Sequence, residues 1–107
     1  QGVIAIQCRD NDTEIISVLN LINDKETNLR AHAERSVLKV LEGDCDTAIG
    51  AHAIIKGDQI ILQAELFSLD GKQRFFEKKS SKINDARELG RELGEILKTK
   101  SNNSYKR

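Results

Sequence analysis

Apolar positions fall into helical stripes and alternating stretches that divide the chain. Ile15, Val18, Leu19 and Ile22 lie on one helical face. Leu29, Ala33, Val37, Val40 and Leu41 repeat the pattern, and Ala86, Leu89, Leu93, Ile96 and Leu97 form a third stripe. Asn11 with Glu14, and Asn23 with Glu26, have the spacing of a capping box, an N-cap acceptor answered by a carboxylate three residues on. Asn84 and Asp85 are the candidate caps of the third stripe. These signals predict helices over 11–22, 23–41 and 84–98. Gly43 is placed to end the second in a left-handed conformation.

Residues 2–6 are apolar on both faces and end at Gln7-Cys8-Arg9, which predicts a short buried strand whose pairing partners lie elsewhere. Further along, Ile49, Ala51, Ala53 and Ile55 alternate, Gly57-Asp58 supplies a turn, and Leu62, Ala64 and Leu66 alternate again opposite Gln63 and Glu65. Asp70-Gly71 is a hairpin signal in which both positions can take positive φ. The next strand, about 73–79, is more polar and predicts an edge guarded by Lys78 and Lys79. The expected fold is α+β: a three-stranded antiparallel sheet with helices packed on one face, in the order α-β-β-β-α, preceded by a strand and a helix. Gly90 and Gly94 each cost about 1 kcal/mol in a helix, which close approach of that helix to the sheet would offset. Residues 99–107 are polar and expected to fray.

Composition narrows the function classes. A chain of 107 residues, 38% hydrophobic and 32% charged, suits one folded domain. Net charge is zero, so the cation surplus that phosphate binding needs is missing. No apolar run is long enough to span a bilayer and no signal peptide opens the chain, so the expected location is cytoplasmic, with no membrane partner. Methionine is absent and the chain opens directly on an apolar run, as expected of a piece of something longer. Cys8 and Cys45 make no disulfide framework and suit a reducing compartment. His32 and His52 have no ligand pattern around them, so no metal site is expected. Cys8 reads as packing at a strand end. Arg35 has two readings, a reach toward residues 41–50 or a surface pair with a helical carboxylate. The run Lys78-Lys79-Ser80-Ser81-Lys82 reads as a solvated edge and loop.

The candidate chemistry sits in Leu41-Glu42-Gly43-Asp44-Cys45-Asp46-Thr47-Ala48-Ile49-Gly50, where one thiol lies between a helix end and a strand start. Taken alone, such a cysteine is most simply structural. Glu42, Asp44 and Asp46 flank it, and nearby carboxylates raise a thiol pKa, so Cys45 suits an attachment point modified once rather than a self-activated nucleophile.

Three segments carry a resemblance: Gln1-Gly2-Val3-Ile4-Ala5-Ile6-Gln7-Cys8-Arg9, then Ala33-Glu34-Arg35, then Leu41-Glu42-Gly43-Asp44-Cys45. Together they resemble porphobilinogen deaminase, also called hydroxymethylbilane synthase, over residues 1–50 and more loosely through Asp70-Gly71. The resemblance covers the C-terminal third of that family's chain. It implies that residues 1–22 correspond to the end of the family's first domain, 23–98 to a C-terminal cofactor-carrying domain, and 99–107 to a polar tail. It also implies an enzyme that joins four porphobilinogen units with loss of ammonia, primed on a dipyrromethane held by a cysteine thioether. Cys45 matches that cysteine, and a thiol is a strong nucleophile toward the electrophilic carbon it would capture. Asp44 and Ala48 stand where the family commonly has Gly and Pro. The family's arginine cluster and catalytic aspartate belong to the domains that precede this region, so no catalytic residue is expected in this chain and the chain alone should be inactive. Its expected partners are porphobilinogen, the growing polypyrrole chain and those preceding domains. The full-length protein is expected to be a monomer. In the shorter chain, residues 1–22 are expected to dock on its own sheet or to pair with a second copy. A rival reading from another class is a double-stranded RNA-binding module, which shares the α-β-β-β-α order; the net charge and the start Asn84-Asp85-Ala86-Arg87-Glu88 stand against it.

Overall fold

A computed structural model describes residues 3–42 and 47–106. Helices α1 (Thr13–Ile22) and α2 (Lys25–Leu41) precede strands β1 (Ile49–Lys56), β2 (Gln59–Phe67) and β3 (Arg74–Lys82). A short 3-10 turn, Ile83–Asp85, leads into α3 (Ala86–Ser101). The sheet is antiparallel in the order β1-β2-β3. Ala53 lies opposite Leu62, and Ala64 opposite Glu77. The fold is α+β, as the pattern predicts.

Alternation decides which sheet face is covered. Ile60, Leu62, Ala64 and Leu66 of β2 are buried together with Ala53 of β1, beneath Ala33, Val37 and Leu41 of α2 and Leu89, Leu93 and Leu97 of α3. Both helices therefore pack on one face. On the other face Ile54 and Phe76 stay exposed, and Arg74 lies over the Phe76 ring at 5.1 Å. The first hairpin turns on Gly57 (φ +61°). In the second, Gly71 alone has positive φ (+73°), so Asp70 does not adopt the conformation expected of it. The Gly71 amide donates to the Ser68 carbonyl at 2.9 Å, which places the glycine last in a β-turn over residues 68–71.

Helix starts fall one residue later than the capping-box reading. Asp12 caps α1 and Asp24 caps α2, each accepting from the amide three residues on. A carboxylate at the cap also suits the positive end of the helix dipole, and in both cases Asp follows the Asn that the pattern favours.

Gly90 and Gly94 serve a different contact from the one expected. A Cβ on Gly90 would overlap the Ala33 carbonyl oxygen and Ser36 Cβ, and one on Gly94 would sit 2.8 Å from Val40 Cβ. The close approach is between α3 and α2, not between α3 and the sheet. On a helix packed into a two-layer fold, one face meets the sheet and the flank meets the neighbouring helix, and the glycines lie on that flank.

The N-terminal strand does not form. Residues 3–9 carry no strand pairing, and Ile4 is 92% exposed. Cys8 is exposed rather than packed. Among the described residues no strand runs beside them to accept their backbone hydrogen bonds, which apolar composition alone cannot supply. None of α1 is buried, and Ile15 and Val18 of its expected inner face are exposed. Ile22 is exposed as well, while Ile16 and Leu19 line a groove with residues 3–6 and the Ala31 and Leu38 positions of α2. Val3 of this segment borders the sheet, sharing a cavity with Ala51 and His52 of β1.

Residues 99–106 do not fray, and Arg107 lies outside the described residues. The third helix continues three residues past the expected Lys98, and Tyr105 is fully buried.

Candidate functional site

The structure describes both stems of the segment containing Cys45, while Gly43, Asp44, Cys45 and Asp46 lie outside the described residues. On the helix side, Leu41 is fully buried and closes α2. Glu42 takes the left-handed conformation (φ 54°, ψ 39°), and its amide donates to the Leu38 carbonyl. The turn-out of the chain thus begins one residue before the glycine expected to make it. On the strand side, the Ala48 carbonyl accepts from the Phe67 amide at 3.1 Å, extending the β1–β2 ladder to the edge of the segment.

A second set of residues gathers at the helix stem. The Tyr105 hydroxyl donates to the Leu41 carbonyl at 2.8 Å. Lys106 Nζ lies 3.3 Å from Glu42 Oε2 and 5.8 Å from the Tyr105 ring centre. Burial pushes the Tyr105 phenol above its ordinary range, so the ring stays neutral and keeps its donor. Sequence reasoning missed this residue. Its signal was the single tyrosine of the chain, standing within an otherwise polar end.

Glu34, part of the Ala33-Glu34-Arg35 motif, is buried, and its Oε2 accepts the Ala53 amide at 2.8 Å. The motif therefore ties the middle of α2 to β1. Arg35 is exposed on α2, and none of the ion pairs among the described residues includes it. His32 Nδ1 lies 3.4 Å from Arg87 Nη2, and His52 is exposed on β1. Among the described residues no group of three or more His, Cys, Asp or Glu side chains stands close enough to hold a metal ion. β3 is an edge strand with Lys78 and Lys79 exposed on it, as its polarity predicts, and Lys79 also reaches Glu92 of α3 at 2.8 Å. Lys100 does the same with Glu77 at 2.5 Å.

The profile of the porphobilinogen deaminase C-terminal domain matches residues 28–99, most of α2 and all of the sheet and nearly all of α3. The chain belongs to the porphobilinogen deaminase family. It is 40% identical over 97 residues to the porphobilinogen deaminase of Desulforamulus reducens, covering 91% of this chain and 31% of that protein. It is 35% identical over 99 residues to that of a Synechococcus species, covering 92% and 31%, and 40% identical over 98 residues to that of a Nostoc species, covering 92% and 30%. The chain thus spans about a third of the length of the curated deaminases it matches. The α-β-β-β-α order that the duplex-RNA reading rested on is here that of a deaminase C-terminal domain. Among the described residues no helix is long and apolar enough to cross a membrane.

Proposed function

We propose that this chain is the primer-bearing C-terminal part of a cytoplasmic porphobilinogen deaminase. The whole enzyme is a transferase of tetrapyrrole (heme) biosynthesis that joins four porphobilinogen units into hydroxymethylbilane with release of ammonia. Cys45 carries its dipyrromethane through a thioether. The observation that carries the reading is the position of Cys45 within a family-matched domain, four residues beyond the last helical residue of α2.

The chemistry of the donor fits the group. A thiol is a soft, strong nucleophile suited to one covalent capture at carbon, and the bond it makes survives hydrolysis. The dipyrromethane, when bound, supplies the pyrrole end on which the chain grows. What these residues do is hold it. The end of α2 and the start of β1 fix the two stems, and the buried Leu41 beneath gives the helix stem a rigid base. Cations for the group's carboxylates, and the carboxylate that handles protons at pyrrole nitrogens, come from the preceding domains. Residues 1–22 belong with those domains, which accounts for their apolar exposure here. The chain alone is inactive, and the full-length protein works as a monomer.

Peptide mass mapping of the full-length protein containing this sequence tests the reading, alongside Cys45→Ser and Cys8→Ser variants. The expected result is a dipyrromethane adduct on Cys45, lost in Cys45→Ser with little change in folding, and kept in Cys8→Ser. An unmodified Cys45 in active enzyme, or an adduct on Cys8, refutes it.

A further inference from the structure

We propose that residues 101–106 form a strap that positions the helix stem of the Cys45 segment, with Tyr105 as its anchor. This rests on the reading that Cys45 carries the primer. Tyr105 is a positioning residue: it acts through Leu41 and Glu42 and touches no reacting atom.

The strap is a built structure. Helix α3 ends on Asn102 in the left-handed conformation, with its amide donating to Thr99. Two further turns follow, Ser104 amide to Ser101 carbonyl at 3.0 Å and Lys106 amide to Asn103 carbonyl at 3.3 Å. The Leu69 amide donates to the Ser104 carbonyl at 2.9 Å, which ties the strap to the β2–β3 turn. From there the chain places Tyr105 wholly inside the core cluster.

Burying a tyrosine is unfavourable unless its hydroxyl finds a partner. The partner here is the carbonyl of the last residue of α2, one of the helix-end carbonyls that lack an intrahelical donor. The strap thereby fastens the final turn of α2 at the point where the chain leaves toward Cys45. Lys106 adds a contact to Glu42, the residue that makes the turn-out. Three elements meet in this way: the end of α2, the β2–β3 turn and the end of α3.

The test uses Tyr105→Phe, which removes the hydroxyl and keeps the ring, in the full-length protein. Ile60→Val, a buried position at the end of the sheet away from Ile49 and Leu66, serves as a control that lowers stability at a distance from the stem. Hydrogen exchange at amides 40–42, where the Glu42 amide bonds the Leu38 carbonyl, is read against α3 amides, and primer loading is followed by intact mass after addition of porphobilinogen to apoprotein. Loss of one buried hydrogen bond should raise exchange at 40–42 by about five-fold and slow loading by a similar factor. Ile60→Val should leave the ratio of 40–42 to α3 exchange, and the loading rate, unchanged. Unchanged exchange at 40–42 in Tyr105→Phe overturns the strap. Faster exchange with unaltered loading overturns its positioning role. Absence of primer from Cys45 in the unsubstituted protein refutes the reading beneath it, and leaves the exchange result standing by itself.

Discussion

Gly90→Ala sets two familiar effects against each other at one position. Replacing glycine by alanine inside a helix stabilises by about 1 kcal/mol through backbone entropy alone. Here the new methyl would overlap the Ala33 carbonyl oxygen and the Ser36 Cβ, atoms fixed to the α2 backbone and unable to swing aside. Relief requires α3 to move away from α2, which loosens contacts all along the pair. Overpacking of this kind costs about 1–3 kcal/mol, more when the obstacle is backbone. The overlap wins, and the net loss should be about 1–2 kcal/mol, a fall of roughly 5–10 °C in Tm for a domain of this size. Gly50→Ala is the control: a Cβ there meets nothing within 4 Å, so only the entropic gain remains, about 0.5–1 kcal/mol. Urea melts followed by circular dichroism measure both. A Gly90→Ala variant as stable as Gly50→Ala would refute the helix–helix argument, because it would mean that α2 and α3 separate at no cost.

The Glu34 carboxylate should be worth more than its charge suggests. Glu34→Ala leaves the Ala53 amide without its acceptor and should cost about 1–3 kcal/mol, whereas Glu34→Gln keeps an acceptor and should cost less; equal losses in urea melts would argue against the bond to Ala53. Tyr105 gives a pH prediction with a clean optical readout, since the chain has one tyrosine and no tryptophan. Its native pKa is raised above the ordinary 10.0 by burial, so the stability it adds is fully present below pH 10.0 and is lost as pH climbs through the raised native value. Phenolate absorbance should therefore appear at higher pH in the native chain than in the urea-unfolded chain, and coincident titrations would refute the burial.

The sheet and the two packed helices were legible because each buries one face against the other, and a face leaves a period in the sequence. Leu62, Ala64 and Leu66 alternate for that reason, and Leu89, Leu93 and Leu97 recur every four. Residues 2–6 show the limit. Apolar composition says that a segment seeks cover, and says nothing of whether a partner strand stands beside it. Gly90 and Gly94 were recognised as a close approach, yet spacing marks a small face without naming what meets it. Tyr105 was hidden among polar neighbours, since its burial depends on Leu41, 64 residues earlier in the chain. Of the candidate site, the helix end was legible to the residue. The left-handed turn falls on Glu42 rather than Gly43, where the Glu42 amide closes the helix on the Leu38 carbonyl. Cys45 itself lies outside the described residues, and its assignment rests on the motif and the family.

The bond from Ala53 to Glu34 has a consequence for how copies of this chain meet in a crowded solution. β1 is an outer strand, and the ladder with β2 uses the amides of alternate residues, leaving that of Ala53 pointing away from the sheet. A bare row of such amides is a template on which a neighbouring chain can add a strand and begin a fibril. Here α2 reaches over and fills the middle of the row with a carboxylate that the fold already needs. An incoming strand would have to evict a buried acceptor before making its second bond. The same side chain that fastens helix to sheet therefore guards the protein against lateral self-assembly, without requiring a proline or a bulge in β1.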